Sequence, residues 1–124
     1  MKSDFINNMT HELKNVLDRS GIRSGVMNVF VTGSTGSVTT IEYEPGVVED
    51  LKRAITGLAP PGEVYEHEMA WHDGNGHSHL RAAVLKASFS VPFEDSRMFL
   101  GTWQNIIFMD FDRKFLLRCK YRFY

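Results

Sequence analysis

What constrains this chain most is its last third. Residues 88–93, 97–100, 105–111 and 115–123 each read as a β-strand, rich in branched and aromatic side chains. They are separated by the turn segments Glu94-Asp95-Ser96, Gly101-Thr102 and Asp112-Arg113-Lys114. Links this short usually join antiparallel neighbours, so the last three strands are expected side by side in one sheet. In the final run Leu117, Cys119, Tyr121 and Phe123 alternate with Leu116, Arg118, Lys120 and Arg122. That gives one apolar and one largely basic face, as in a sheet solvated on a single side. The basic stripe is offset elsewhere: 14 Lys and Arg against 15 Asp and Glu leave a formal charge of −1. An electrostatic nucleic-acid binder carries a basic excess, so no nucleic-acid partner is expected.

Upstream the periodicity changes. In residues 4–19, Phe5, Met9, Leu13, Val16 and Leu17 recur at spacings of three and four, which predicts an amphipathic helix stopped by Gly21. Residues 26–32 and 38–43 read as strands joined by Gly33-Ser34-Thr35-Gly36-Ser37. Pro45 suits the first turn of a helix carried by Val47, Val48, Leu51, Ala54 and Ile55 to Gly57. Ala59-Pro60-Pro61-Gly62 is a turn, residues 63–71 read as extended, Asp73-Gly74-Asn75-Gly76 as a tight loop, and residues 80–86 as a short helix. The whole predicts a single α+β domain over residues 1–124, with an antiparallel-rich, sandwich-like sheet covered by two main helices and one short one. No apolar run approaches the ~18 residues of a membrane helix, and no leader follows Met1, so no membrane partner and a cytoplasmic setting are expected. A lone cysteine, Cys119, cannot form an internal disulfide.

Chemistry concentrates in one segment. His67, His72, His77 and His79, four of the five histidines, fall within residues 67–79. Imidazole is a common ligand for borderline metals, and three of them leave zinc an open position. In an extended chain His77 and His79 would face one side, with His67 or His72 folded back beside them across the glycine-flanked loop. Glu66, Glu68 and Asp73 are within reach to ligate, to orient an imidazole or to act as a base. A solvated polar loop is the plain alternative, and no His-Glu-x-x-His or cysteine pair is present. Gly33, Ser34 and Thr35 offer small residues after a strand, where backbone amides and hydroxyls can approach a phosphate; an ordinary turn reads as well. Glu42 and Glu44 straddle Tyr43, either as paired carboxylates or as strand-end acids facing the next helix N-terminus.

His72-Asp73-Gly74-Asn75-Gly76-His77-Ser78-His79-Leu80-Arg81-Ala82-Ala83, then Ser90-Val91-Pro92-Phe93, then Leu100-Gly101-Thr102-Trp103-Gln104 resemble the YjbQ family, also called the secondary thiamine-phosphate synthase family. The likeness extends from about Asp4 to about Leu117 and includes Thr40-Ile41-Glu42-Tyr43-Glu44-Pro45-Gly46. It implies a compact α+β homotrimer with sites near subunit boundaries and a divalent metal held by histidines. Zinc is foremost, with magnesium accompanying a pyrophosphate substrate. It also implies weak thiamine-phosphate synthase activity, the joining of a pyrimidine pyrophosphate to a thiazole phosphate. Carried over by position, His79, His77 and His67 would hold the metal; on an enzyme reading of the residues, Asp73 or Glu42 would move protons. Arg81 with Gly33, Ser34 and Thr35 would hold a small phosphorylated metabolite, and Gly101, Thr102 and Gln104 match the family turn. The expected alternatives are a metal- or anion-binding oligomer without catalysis, and metal-assisted hydrolysis of a phosphate or ester. Two departures stand out. No histidine occupies Gly33-Ser34-Thr35, where many members carry one, and the chain starts almost at its first helix where members have an edge strand.

Overall fold

A computed structural model describes residues 5–72, 74–112 and 118–124. The chain runs β1 (Ile6–Asn8), α1 (Thr10–Ser20), β2 (Gly25–Thr32), β3 (Gly36–Glu42), α2 (Pro45–Leu58), α3 (Glu66–Trp71), α4 (Gly76–Leu85), β4 (Ser88–Glu94), β5 (Arg97–Met98), β6 (Gln104–Asp110) and β7 (Arg118–Phe123). The strands form two antiparallel sheets, one ordered β1-β6-β3 and the other β5-β4-β2-β7.

Side-chain chemistry explains the layering. In β6, Ile106 packs with Leu13, Leu17, Met27, Val29, Val31, Val38, Val91 and Phe93 between the two sheets and against α1. Its neighbours Ile107 and Met109 point the other way, to Ile6, Val48, Ile55 and Ala82 beneath α2 and α4. A strand covered on both faces needs a continuous apolar run, and Ile106-Ile107-Phe108-Met109 supplies one. Burying each such aliphatic side chain contributes roughly 1.5–3 kcal/mol. The β5-β4-β2-β7 sheet is covered on one face only: Met27, Val29 and Val31 are buried while Val26 and Phe30 are exposed. Lys120 and Arg122 of β7 are exposed as the alternation of the last strand predicts, but Tyr121, which it assigns to the apolar face, is exposed as well.

Four expectations need correction. First, residues 6–8 do not begin the first helix. They pair with β6, Ile6 opposite Met109 and Asn8 opposite Ile107, so an edge strand precedes α1. Asn8 Oδ1 then accepts from the Thr10 N–H at 3.0 Å, and Thr10 Oγ1 accepts from the Ile106 N–H at 2.8 Å, fixing the helix start at Thr10. Its stop at Gly21, in the left-handed region at φ 72°, is the one predicted. Second, β5, β6 and β7 are not sheet neighbours. β6 lies between β1 and β3, whereas β5 and β7 are opposite edges of the other sheet. Short links fix proximity but not sheet membership, and here each link crosses the sandwich. Third, residues 66–71 are helical, with Glu66 and Glu68 in the first turn where acidic side chains favour the helix dipole. Fourth, the short helix predicted at residues 80–86 starts earlier, at Gly76, and brings two histidines into its first turns. Asp73 and the start of the predicted strand at 115–117 lie outside the described residues.

Candidate functional site

The turn from β2 to β3 leaves one sheet and enters the other, and α4 packs beside it on β3. Gly33 takes φ 126°, a conformation a side chain would strain. Between the turn and the helix lies an open cleft of about 480 Å³ lined by Gly33, Ser34, Gly36, His79, Ala83 and Lys86, among other small residues. Its described lining holds one lysine, one histidine and no carboxylate.

His79 bridges the two walls. Its Nδ1 lies 3.1 Å from the Ser34 carbonyl oxygen. A carbonyl only accepts, so Nδ1 carries the proton and Nε2 is left for chemistry: a lone pair when the ring is neutral, a donor when it is protonated. The His67 ring meets His79 edge-on, centroids 4.6 Å apart. His77 does not join them. Two residues apart on a helix, side chains diverge by about 200°, and His77 Nε2 lies instead 3.4 Å from the Ser78 hydroxyl. His72 is the left-handed cap of α3 and is exposed. Two of the three expected imidazoles therefore come together. Among the described residues no three side chains of the metal-ligating types assemble, so those residues do not by themselves fit a three-histidine metal centre.

The other expected residues lie elsewhere. Arg81 is 4% exposed, its guanidinium beside the paired rings of Phe5 and Phe111 at 5.8 and 5.7 Å, and its Nε donates to the Ala59 carbonyl at 3.0 Å. That carbonyl follows the last turn of α2, so Arg81 ties two helices to the aromatic pair rather than facing the cleft. Burial pulls its pKa below the usual arginine value, while nearby Tyr65 opposes the shift. Thr35 is buried, and its carbonyl accepts from the Phe111 N–H at 3.0 Å. Glu42 is exposed at the far end of β3, opposite Gln104 in register, whereas Gly36 at the cleft end faces Asp110. At ~3.3 Å per residue the two ends of this strand are about 20 Å apart. Gly101, Thr102 and Gln104 belong to the Glu42 end. There Gln104 Oε1 accepts from the Gly101 N–H at 2.8 Å and its amide reaches Thr40 Oγ1 at 3.3 Å, closing the turn. Glu44 caps α2, its carboxylate accepting from the Gly46 and Val47 N–H groups at 2.8 and 3.0 Å. Sequence reading passed over Lys86, which lines the cleft just past α4; no sequence signal marks its backbone conformation.

A two-sheet α+β domain with a histidine-walled cleft beneath an inter-sheet turn is the class these features define. The family model described as UPF0047 protein YjbQ-like matches residues 2–121, and the chain belongs to the YjbQ family. A UPF0047 protein of Methanothermobacter thermautotrophicus is 38% identical over 104 residues, covering 84% of this chain and 71% of that one. UPF0047 protein YugU of Bacillus subtilis is 34% identical over 113 residues, covering 90% and 83%. Among solved structures, a YbjQ-like protein of unknown function from Sulfolobus solfataricus superposes with a TM-score of 0.86 at 29% identity, over 94% of this chain and 83% of that one. A YjbQ/UPF0047 protein of Clostridium acetobutylicum gives 0.86 at 28%, over 99% and 95%. Among the described residues no helix is long and apolar enough to cross a membrane.

Proposed function

We propose that the cleft between the β2–β3 turn and α4 binds a phosphate or pyrophosphate group of a small metabolite. The observation that carries this reading is the His79–Ser34 contact. It fixes the imidazole across the cleft with Nε2 uncommitted to that bond, in a lining that, among the described residues, holds a lysine and no carboxylate. Protonated, His79 keeps Nδ1–H on the carbonyl and turns Nε2–H toward an anion, while the small residues let the anion approach the backbone. Donors aimed at a departing pyrophosphate are what the joining of a pyrimidine pyrophosphate to a thiazole phosphate requires, so thiamine-phosphate synthesis belongs to this proposal as its reaction. Magnesium belongs to it as the companion of a pyrophosphate substrate. Calorimetric titration of inorganic pyrophosphate tests the binding. Wild type is expected to bind, and His79→Ala to weaken binding about tenfold, equivalent to ~1.4 kcal/mol. Absence of binding by wild type contradicts the reading.

Zinc is the second reading, favoured by the ring contact of His67 with His79 and by the carbonyl on Nδ1, an arrangement common behind metal-ligating imidazoles. About one zinc per chain in purified protein supports it; none after incubation with zinc retires it. Self-association into a homotrimer completes the proposal, supported by large exposed apolar side chains such as Val64, Trp71 and Trp103. Solution mass tests it. A cytoplasmic setting goes with the lone cysteine.

A further inference from the structure

We infer that Lys86 is the charge-recognising residue of the cleft, selecting a multiply charged phosphate group by its ammonium. The inference rests on the phosphate reading above and deepens it. It starts from a backbone outlier. Lys86 takes φ 75° and ψ 162°, a region that is essentially glycine's own because a Cβ crowds the chain there. The surrounding structure holds this conformation from both sides. The Lys86 N–H donates to the Ala82 carbonyl at 2.8 Å, closing α4. Its carbonyl accepts from the hydroxyl of Ser37, a fully buried residue of β3. A glycine would meet these bonds without strain, yet this exposed position of the cleft lining carries lysine.

Charge distribution gives that side chain its meaning. Lys86 is exposed and makes no ion pair among the described residues, unlike Lys52 and Arg53, which pair with Glu49 and Asp50 on their own helix. Arg81, expected from sequence to hold phosphate, is buried beside Phe5 and Phe111. Lys86 is therefore the cleft lining's one side chain of fixed positive charge among the described residues. An ammonium beside small, approachable backbone and one imidazole suits a compact polyanion: it acts as a point charge on phosphate oxygens and discriminates by ligand charge.

A stability–binding split tests this. Inorganic pyrophosphate is titrated into full-length wild type, Lys86→Gly, Lys86→Met and Lys86→Arg, with thermal midpoints measured alongside. Lys86→Gly is expected to raise the thermal midpoint, since it relieves the outlier, while weakening pyrophosphate binding about tenfold, the effect of one lost charge-assisted contact. Lys86→Met keeps the strained backbone and is expected to lose binding equally with no gain in midpoint. Lys86→Arg is expected to bind within about threefold of wild type, because the charge persists. A purely structural lysine would not move binding and stability in opposite directions. If wild type binds pyrophosphate with the His79 dependence but Lys86→Gly and Lys86→Met bind equally well, Lys86 is not the recognising charge and only this inference falls. If wild type does not bind, the phosphate reading and this inference fall together.

Discussion

Helix α4 presents two faces that treat polar side chains in opposite ways. On its inner face Ser78 and Arg81 are buried and each is tied to a backbone carbonyl, Ser78 Oγ to Phe111 at 2.9 Å and Arg81 Nε to Ala59 at 3.0 Å. On its cleft face His79 gives one ring nitrogen to Ser34 and keeps the other, and beyond the helix end Lys86 stays exposed. A buried polar group must be satisfied inside the protein, so it becomes part of the scaffold. A half-buried one with an uncommitted atom retains capacity for a ligand. The side chain with the strongest phosphate chemistry in the motif, Arg81, is thus buried in the scaffold, and the less conspicuous His79 and Lys86 line the cleft.

Substitutions along this helix sharpen the contrast. Arg81→Ala is expected to have the largest effect, a loss of roughly 2–4 kcal/mol, because it removes a buried side chain packed beside two phenyl rings and leaves the Ala59 carbonyl without its donor. Denaturant unfolding measures it, and a loss below ~1 kcal/mol would return Arg81 to the list of ligand-binding residues. Ser78→Ala is expected to cost about 1–2 kcal/mol, since the buried Phe111 carbonyl loses a partner. His79→Ala is expected to cost under ~1 kcal/mol while removing most pyrophosphate affinity, since its ring is partly exposed and its bond is to a turn carbonyl. An inversion of this order, with His79 the costliest for folding, would break the distinction between the two faces.

Several elements were readable from the residues themselves. Helix α2 starts at Pro45 as expected, because proline suits a first helical turn, and Glu44 of the paired acids proves to be its cap. The core strand β6 announces itself by its unbroken apolar run. Strand β1 was hidden: with only Ile6–Asn8 to show, it has too few residues to display an alternation of two, and Phe5 and Met9 happen to continue the helical spacing. Sheet membership of β5, β6 and β7 was out of reach for a different reason. Turn lengths record distance along the chain, whereas the choice between two facing sheets depends on what packs in the middle.

The site was readable in its residue types more than in its geometry. The histidine cluster and the glycine-serine turn drew attention to two segments that do meet, at His79 and Ser34. Asp73-Gly74-Asn75-Gly76 reads equally as a turn or as a helix approach, since the Asn75 side chain makes no capping bond to α4 and donates instead to Asp112 at 3.1 Å. Placing the helix start at Leu80, past both histidines, left His77 and His79 on an extended chain where they seem to share a face. On the helix they diverge, and His67 from α3 takes the neighbouring place instead. Glu42 and the Gly101–Gln104 turn fell at the other end of β3 because β3 and β6 are antiparallel, which local sequence does not disclose.

The most direct test of the cleft is an amide-resolved NMR titration of the isotopically labelled full-length protein with inorganic pyrophosphate. The expected result is a saturable shift of the Gly33, Ser34, Gly36, His79 and Lys86 amides, with Glu42 and the Gly101–Gln104 turn unmoved. Shifts confined to the Gly101–Gln104 end, or none at saturating pyrophosphate, would contradict it.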